Sequence, residues 1–308
     1  MDILNDIFNT LNLKGALYFR TNFHEPWGVT VPKYEQAARF HLVVQGNCLV
    51  KVSGCEPVKL NAGDLILIPG GASHVLAHNS SSDTPELETV LENTNYTGNG
   101  VLAIGEGDST ASTQLICGHF NFRNHANHPI LSSLPKHIVF SSSCRAKNLL
   151  LDELLRMITQ RVFSDQLGTE SSVIRLSEIV FIEILKLGIE RSDGYKSVID
   201  AFSDPQISQS LQLIHEQPEY SWTVERLASS VAMSRSRFSD RFSQLVGIGP
   251  MSYLSDWRLQ KALALLDSSQ MSVQQIANQT GYQSSSSFTR AFSGKFGVAP
   301  TEYRQTTH

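Results

Sequence analysis

The sequence predicts a multidomain α+β protein in which a β-rich N-terminal part is followed by a helical middle segment and an all-α C-terminal part. Three observations predict this order. Short β-type runs broken by Gly, Pro, Asn and Ser fill residues 18–140, the hydrophobic period becomes helical near residue 145, and the C-terminal third contains two similar helical units. We place the domain boundaries at 1–140, 141–205 and 206–308.

The N-terminal β-type runs include FHLVVQGNCLVKVSG, EPVKLNAGDLILIPGG and TQLICGHFNF. Many short strands separated by turn residues are typical of a sandwich or a small barrel. Residues 78–113 are polar, Gly-rich and without a period, so we expect a long mobile loop or an insertion that contributes little to the core. Trp27 could line a pocket, but we expect it to fill the core.

The middle segment carries two apolar stripes at helical spacing, which predict two antiparallel helices. The second stripe runs from Val173 to Leu187. The first consists of Leu150, Leu151, Leu154, Leu155 and Ile158. An exposed stripe of this size would favour self-association, so we predict that it forms a homodimer interface; the alternative is that it packs on the chain's own β domain. Residues 190–205 are predicted to form a linker.

Composition places the chain among ordinary globular proteins, because 41% of its 308 residues are hydrophobic and 18% are charged. Acidic residues stand where a signal peptide needs basic ones, and no apolar run approaches the roughly 18 residues of a membrane span. We therefore expect a cytoplasmic protein. The four cysteines have neither disulfide-framework nor zinc-module spacing, which predicts reduced thiols.

The formal charge of -4 is unevenly distributed. Residues 1–206 carry 16 basic and 22 acidic side chains, whereas residues 207–308 carry 9 basic and 7 acidic ones. The basic excess suggests an anionic partner for the C-terminal part, although a solvated surface could also produce so small an excess.

Two segments of the C-terminal part are near copies of each other: MSRSRFSDRFSQLVG at 233–247 and YQSSSSFTRAFSGKFG at 282–297. Their matching residues are Phe238 and Phe288, Phe242 and Phe292, and Gly247 and Gly297. A short helix precedes each copy, with Thr223 or Ser272 as its N-cap, and a tight turn follows that helix. The pattern predicts two helix-turn-helix units.

The second helix of such a unit enters the major groove of DNA, with apolar residues on its anchoring face and short polar or basic residues on the other. We expect Phe238, Phe242 and Leu245 to point inward in the first copy, and Phe288, Phe292 and Phe296 in the second. The predicted DNA-binding residues are Arg235, Ser236, Arg237, Ser239 and Asp240 in the first copy and Ser284, Ser285, Ser286, Thr289 and Arg290 in the second.

A solvated helix face is the alternative explanation for either copy alone. Two copies joined by a helix of roughly 17 residues, which spans about 25 Å, favour two recognition helices near one turn of DNA apart.

Residues 207–308 resemble the DNA-binding domain of AraC/XylS-type transcription regulators over both units and the terminal FGVAPTEYR. The resemblance implies sequence-specific binding to double-stranded promoter or operator DNA, and RNA polymerase as a further partner. It leaves open whether binding activates or represses. Asp240 departs from the longer basic or amide side chain that some relatives carry there, which leaves the base preference open, since a carboxylate would accept from cytosine N4 or repel phosphate.

The motif GDLILIPGGASH at 63–74, together with RFHLVVQGN before it, is similar to the cupin-like sensor domain often joined to AraC-type DNA-binding domains. This resemblance covers residues 1–140 and implies a small β-barrel. It also implies that the chain responds to an effector, which could be a small molecule, a metal ion or an oxidant.

Metal-binding cupins carry an HxH pair and a Glu, whereas here His41 is followed by Val43 at the second position. His41, His74, Cys117 and His119 could still supply nitrogen and sulfur ligands for Zn²⁺, or they could be buried structural residues. No cofactor is required for the regulator. Cys117 matches the thiol of oxidant-responsive relatives, but we expect it to be inert.

The alternative from another class is a cupin metal-dependent enzyme with a helical accessory domain. The missing HxH pair and Glu, and the lack of an acid, base and nucleophile set, favour the regulator over catalysis.

Overall fold

The computed structural model of the protein describes residues 3–35, 37–98, 100–105, 112–126, 128–145, 147–162, 167–191 and 198–307. Contacts divide them into two compact units, and each unit is discontinuous along the chain. The sheet unit comprises Leu13–Phe122 and Leu134–Leu187, and the helical unit comprises the described parts of Met1–Asn12, Arg123–Ser133 and Gly188–His308. Within the described ranges, no helix is long and apolar enough to cross a membrane.

Two sheets form the centre of the sheet unit. The six-stranded sheet has the order β10-β6-β3-β9-β1-β8 and consists of β1 (Lys14–Phe23), β3 (Ala37–Gln45), β6 (Leu65–Ile68), β8 (Val101–Ile104), β9 (Gln114–Asn121) and β10 (Ile138–Phe140). The four-stranded sheet has the order β2-β7-β4-β5 and consists of β2 (Gly28–Val31), β4 (Asn47–Val52), β5 (Val58–Asn61) and β7 (His74–Ala77).

Strand register decides which side chains meet in the core. Strand β9 pairs antiparallel with both β3 and β1, which sets His41 opposite Cys117 and Lys14 opposite Asn121. Because side chains alternate along a strand, each sheet presents one apolar face to the shared core. Trp27 belongs to this core as expected, with its ring 4.8 Å from that of Phe23.

The expectation of a mobile loop at 78–113 is wrong for its described residues. They include helix α2 (Leu87–Asn93) and strand β8, which pairs parallel with β1. Leu87, Val90 and Leu102 are buried in the core of the sheet unit. Their irregular spacing hid them, because they come from a short helix and a short strand rather than from one periodic element. Residues 99 and 106–111 of the expected loop lie outside the described residues.

The leucine-rich stripe lies on helix α5 (Leu149–Val162), which is followed by α6 (Thr169–Arg191). Leu151, Leu154, Leu155 and Ile158 are buried, and Leu150 is 52% exposed. Residues Leu155 and Ile158 line a small gap together with Phe40 and Phe120 of the six-stranded sheet. The prediction that this stripe forms the dimer interface is therefore wrong, because the chain's own sheet covers it.

Most of the remaining helices belong to the helical unit. They are α1 (Ile3–Leu11), α3 (Pro129–Ser132), α7 (Val198–Ser203), α8 (Pro205–Glu216), α9 (Val224–Ser230), α10 (Arg235–Val246), α11 (Pro250–Ser268), α12 (Val273–Gln279), α13 (Ser285–Phe296) and α14 (Pro300–Thr307), while α4 (Ser142–Arg145) belongs to the sheet unit. The predicted linker is wrong at 198–203, where α7 packs against α8 and α10; residues 192–197 lie outside the described residues.

Helix starts in this unit are set by the predicted caps. The side chains of Thr223 and Ser272 accept hydrogen bonds from backbone N–H groups in the first turns of α9 and α12, as predicted, and Asp204 caps α8 in the same way. Pro250 occupies the first turn of α11, where its missing N–H costs no helical hydrogen bond.

The two helix-turn-helix units share backbone features, although the segment between the two helices has one more residue in the second unit. Each turn contains one residue with positive φ, Ala232 at 54° in the first and Gly281 at 78° in the second. Each recognition helix ends at a glycine in the left-handed region, Gly247 or Gly297.

The recognition helices are anchored by aromatic side chains. Phe238 and Phe242 of α10 are buried as predicted, but Leu245 is only half-buried and Val246 takes the third anchoring position. Helix α13 buries all three predicted phenylalanines, and they share a core with Leu259, Leu263 and Leu266 of α11.

We predict that Leu155→Ala lowers the free energy of unfolding by about 2–5 kcal/mol, because it leaves a cavity between α5 and the sheet. Leu150→Ala, on the exposed side of the same helix, should change it by less than about 0.5 kcal/mol. Urea denaturation of both variants measures the difference. Equal effects would contradict the observed packing of α5.

Candidate nucleic-acid interface and sheet-unit cavity

Helix α10 presents basic and short polar side chains to solvent. Its N-cap is Ser234, and Arg235, Ser236, Arg237 and Asp240 are exposed, while Ser239 is half-buried. Arg235 Nε lies 2.8 Å from Glu225 Oε1 in an exposed ion pair, which contributes little to stability because solvent screens it. No ion pair involves Arg237 within the described parts of the chain, so its charge is available on this face.

Helix α13 presents a different face at the same positions. Its N-cap Ser284 accepts a hydrogen bond from the Ser287 backbone N–H at 3.2 Å. Ser284, Ser286 and Arg290 are exposed, whereas Ser285 and Thr289 are half-buried. Ser284 therefore has a structural role as a cap, and the serines that follow it keep the helix surface narrow.

The two recognition helices differ most at one equivalent position. Asp240 and Arg290 are both the sixth residue of their helices, and both are exposed. Arginine can donate two parallel hydrogen bonds to guanine, whereas aspartate accepts from the amino group of cytosine. The duplicated scaffold thus carries opposite hydrogen-bonding chemistry in its two copies.

A polar cluster lies buried between the strands of the sheet unit. His41 Nδ1 lies 3.0 Å from Cys117 Sγ, and His41 Nε2 lies 2.8 Å from His74 Nε2. His74 Nδ1 lies 2.8 Å from the Ala72 carbonyl oxygen. The structure therefore brings together three of the four predicted ligand residues. His119 lies two residues further along β9, opposite Arg39 in the sheet register.

The carbonyl of Ala72 fixes every proton in this chain of contacts. It can only accept, so His74 donates from Nδ1 and a neutral His74 accepts at Nε2. His41 must then donate from Nε2 and accept at Nδ1, so Cys117 donates its S–H. The cluster is a one-way chain from a protonated thiol to a backbone carbonyl.

Burial keeps the members of the cluster neutral. It lowers the pKa of His41 well below its usual range, and the charges of His74 and Arg39 lower it further. Burial also lowers the pKa of His74 to about 4. It raises the pKa of the Cys117 thiol, with a smaller contribution from Cys48. Because the thiolate is the nucleophile, this environment disfavours a reactive Cys117.

The cluster geometry does not converge on a metal ion. Cys117 and His74 contact opposite nitrogens of the His41 ring, so a single ion could not contact all three side chains. Within the part of the chain that the structure describes, no group of three His, Cys, Asp or Glu side chains is arranged to hold a metal ion.

A cavity of about 20 Å³ borders this cluster, which is room for roughly one water molecule. Its polar lining comes from Thr21, Arg39, His41 and Cys117, and the rest of its lining is apolar. Sequence reasoning missed Thr21 and Arg39. The available signal was an arginine in the middle of the apolar strand AARFHLVV, since an arginine is seldom 2% exposed without a specific role.

Comparisons with known proteins found matches to both the N-terminal and the C-terminal part of the chain. A family model described as Cupin matches residues 2–190, and one described as Helix-turn-helix domain matches residues 227–306. The HTH-type transcriptional regulator AlkR of Acinetobacter baylyi is 31% identical over 99% of this chain and 99% of its own length. An AraC-like transcription regulator of Streptomyces antibioticus is 29% identical over 99% of both chains. The chain belongs to the AraC-type transcriptional regulators.

Other similar proteins cover the regulator in whole or in part. RclR of Escherichia coli, an RCS-specific HTH-type transcriptional activator, is 26% identical over 87% of this chain and 84% of its own. The DNA-binding domain of AdpA, solved in complex with a target DNA, is 31% identical and covers 33% of this chain and 92% of its own, with a TM-score of 0.32. The predictions of a cupin-type N-terminal region and a DNA-binding C-terminal region are confirmed. These relatives are named as transcription regulators, and the alternative of a cupin enzyme finds no support among them.

The histidine cluster predicts how the stability of the regulator depends on pH. The pKa of His74 is lowered to about 4 in the folded chain, and its unfolded value is about 6.5. Below about pH 6.5 the unfolded state therefore binds more protons, and the free energy of unfolding falls by up to about 1.4 kcal/mol per pH unit per histidine as the pH drops toward 4. Denaturant unfolding between pH 7 and pH 5 should show that the free energy of unfolding falls less steeply with pH in His74→Gln than in the wild-type chain. An unchanged dependence on pH in that variant would contradict the lowered pKa of His74.

Proposed function

We propose that the regulator reads one DNA operator with two recognition helices that enter successive major-groove segments. The observation that carries this proposal is the repetition of a 12-residue helix that has buried phenylalanines at equivalent positions on one face and exposed polar side chains on the other. A solvated surface needs no such repetition of the buried anchors together with the cap and the turn. Helix α11, which joins the two units, has 19 residues and so spans about 28 Å, close to one turn of DNA.

We assign different roles to the exposed side chains. Arg290 and Asp240, at the equivalent position of the two helices, are proposed to contact base edges, Arg290 at guanine and Asp240 at the amino group of cytosine. Arg235 and Arg237 are in the first turn of α10 and are proposed to contact phosphates. The short side chains are proposed to allow close approach and to bind backbone oxygens; they are Ser236, Ser239, Ser284, Ser285, Ser286 and Thr289.

We predict that Arg290→Ala costs about 1–3 kcal/mol of affinity for the operator and relaxes preference at one base position. Arg237→Ala should instead weaken binding to all DNA sequences about equally. It should also reduce the slope of log affinity against log salt concentration by roughly one. Titrations against a footprinted operator and its single-base variants, at several salt concentrations, measure both effects.

Lys295→Ala is the matched control for Arg290→Ala. Lys295 lies in the last turn of the same helix and pairs with Asp256 at 2.8 Å, so its loss removes a charge without removing a base contact. If Arg290→Ala behaved like Lys295→Ala, α13 would not read bases through Arg290.

We further propose that the cavity of the sheet unit is the effector site. Its lining is apolar except for the polar end formed by Thr21, Arg39, His41 and Cys117, which suits a small, largely apolar molecule with one polar or anionic group. The present volume of about 20 Å³ requires that such a ligand displace lining side chains on entry. An oxidant effector is less favoured, because burial keeps Cys117 protonated.

We predict that Cys117→Ser and His74→Ala change the response to the effector while DNA affinity without effector stays within about twofold. A reporter strain carrying the mapped operator, exposed to a panel of small apolar acids and separately to hydrogen peroxide, measures the response. Cys144→Ser, a half-buried thiol outside the cavity, is the control. Unchanged induction in both cavity variants would contradict the proposal that the cavity is the effector site.

We further propose that the regulator forms a homodimer and that it contacts RNA polymerase. With the leucine-rich stripe buried, the apolar side chains left exposed on α5 are Leu149, Leu150 and Met157. They share one side of the helix and form the surface that we propose for self-association. The proposed contact with RNA polymerase rests on the resemblance to transcription regulators.

A further inference from the structure

Two segments that precede the DNA-binding helices by a long way in sequence belong to the same compact unit as those helices. They are helix α1 and the stretch Arg123–Ser133. Both fall inside the range that matches the Cupin family model, residues 2–190. Sequence similarity alone would therefore place them with the sensor, whereas their contacts place them with the DNA-binding unit.

Asp6 attaches α1 to two helices of that unit. Its side chain is 7% exposed. Oδ2 lies 3.0 Å from His215 Nδ1 on α8, and Oδ1 accepts a hydrogen bond from Lys261 Nζ on α11. A buried carboxylate is stable only when its charge is paired and hydrogen-bonded, so this contact specifies one position of α1 on α8 and α11.

The hydrogen-bond chain continues to the second segment. The Tyr253 hydroxyl on α11 lies 2.7 Å from His215 Nε2 and 2.9 Å from His128 Nε2. With Asp6 ionised, His215 donates from Nδ1, so Tyr253 donates to its Nε2 and His128 donates to the tyrosine oxygen. The Tyr253 ring also packs 5.8 Å from that of Phe242, an anchor of recognition helix α10.

The stretch Arg123–Ser133 reaches the second helix-turn-helix unit as well. Arg123 forms an ion pair with Asp267 near the end of α11. The His125 ring lies 5.7 Å from that of Phe296, the last anchor of α13, and 6.2 Å from that of Tyr303. Together, α1 and this stretch contact α11 along its length. His125 contacts an anchor of α13 directly, whereas the anchor Phe242 of α10 is contacted through Tyr253 of α11.

Both segments are direct continuations of strands that line the cavity. Helix α1 ends at Leu11 and β1 begins at Lys14, while β9 ends at Asn121, two residues before Arg123. Lys14 and Asn121 are paired in the sheet, and Arg123 N–H donates to the Leu11 carbonyl at 2.8 Å. The same two strands contribute Thr21, Phe23 and Cys117 to the cavity.

We propose that α1 and Arg123–Ser133 form a clamp on the DNA-binding unit, with Asp6 as its positioning residue, which holds the two recognition helices in the relative placement that one operator requires. The strands β1 and β9, which line the cavity, lead directly along the chain into the two segments of the clamp. The clamp lies on α8 and α11, and the charged side chains proposed to contact DNA, Arg235, Arg237, Asp240 and Arg290, stay exposed. The clamp therefore acts by preorganisation and not by blocking DNA. This inference rests on the proposed reading of one operator by both helices.

The test compares Asp6→Asn and Lys261→Met in the full-length chain, with Asn9→Ala, an exposed position on α1, as the matched control. The DNA probes are an operator selected by the wild-type chain from a random pool and two derivatives, each with the segment footprinted by one recognition helix scrambled. We expect Asp6→Asn and Lys261→Met each to weaken binding to the intact operator about tenfold and binding to either derivative by less than about twofold. The double variant should lose little more affinity for the intact operator than either single variant, because both substitutions break the same contact between Asp6 and Lys261.

Equal losses of affinity for all three DNAs, or no loss of affinity for the intact operator, would overturn the proposal of a clamp. If the wild-type chain bound the derivatives as tightly as the intact operator, reading by two helices would fail instead. Hydrogen exchange then decides the clamp independently of DNA: Asp6→Asn should speed amide exchange in α1, in Arg123–Ser133 and around His215 and Tyr253, and Asn9→Ala should not. Unchanged exchange in these segments would also overturn the inference.

Discussion

The burial of one aromatic face on each recognition helix is the constraint on which the DNA-binding unit depends. Phe242 of α10 packs beside Tyr253 of α11, and Phe292 of α13 lies in a core with Leu263, which is also on α11. Since interiors are close-packed, these contacts leave each recognition helix one orientation about its own axis. The exposed faces that carry Asp240 and Arg290 are therefore set by what is buried behind them, and α11 carries both sets of contacts.

In the sheet unit the corresponding constraint is the cost of charge in an apolar interior. His41, His74 and Cys117 can share that interior because each stays neutral and each donates to the next member of the chain. The Ala72 carbonyl terminates the chain, so the proton positions follow from a single backbone group. A ligand that inserts a polar atom into this chain must replace one of its hydrogen bonds, which makes the cluster sensitive to occupancy of the adjoining cavity.

Several errors of sequence interpretation share one cause. Helix α5 has the stripe expected of a dimer interface, but periodicity reveals that a face is buried and not which surface buries it. Leu87 and Leu102 are core residues inside a stretch whose composition indicates a loop, because the elements that carry them are too short to show a period. The error at Leu245 has a different cause, because Val246 is the equivalent of Phe296 and comparison of the two copies would have identified it as the third anchor of α10.

Local and repeated features could be predicted from the sequence: the helix caps at Thr223 and Ser272, the aromatic anchors, and the family to which the chain belongs. These depend on contacts within a few residues, or on a pattern that recurs along the chain, so they can be read without knowing the fold. The contacts between groups that are distant in the sequence became visible only in the fold. Asp6 and His215 are 209 positions apart, and His41 and Cys117 are 76 apart. Such pairs arise because strand register and helix packing bring their elements together, and a single sequence carries no local trace of either.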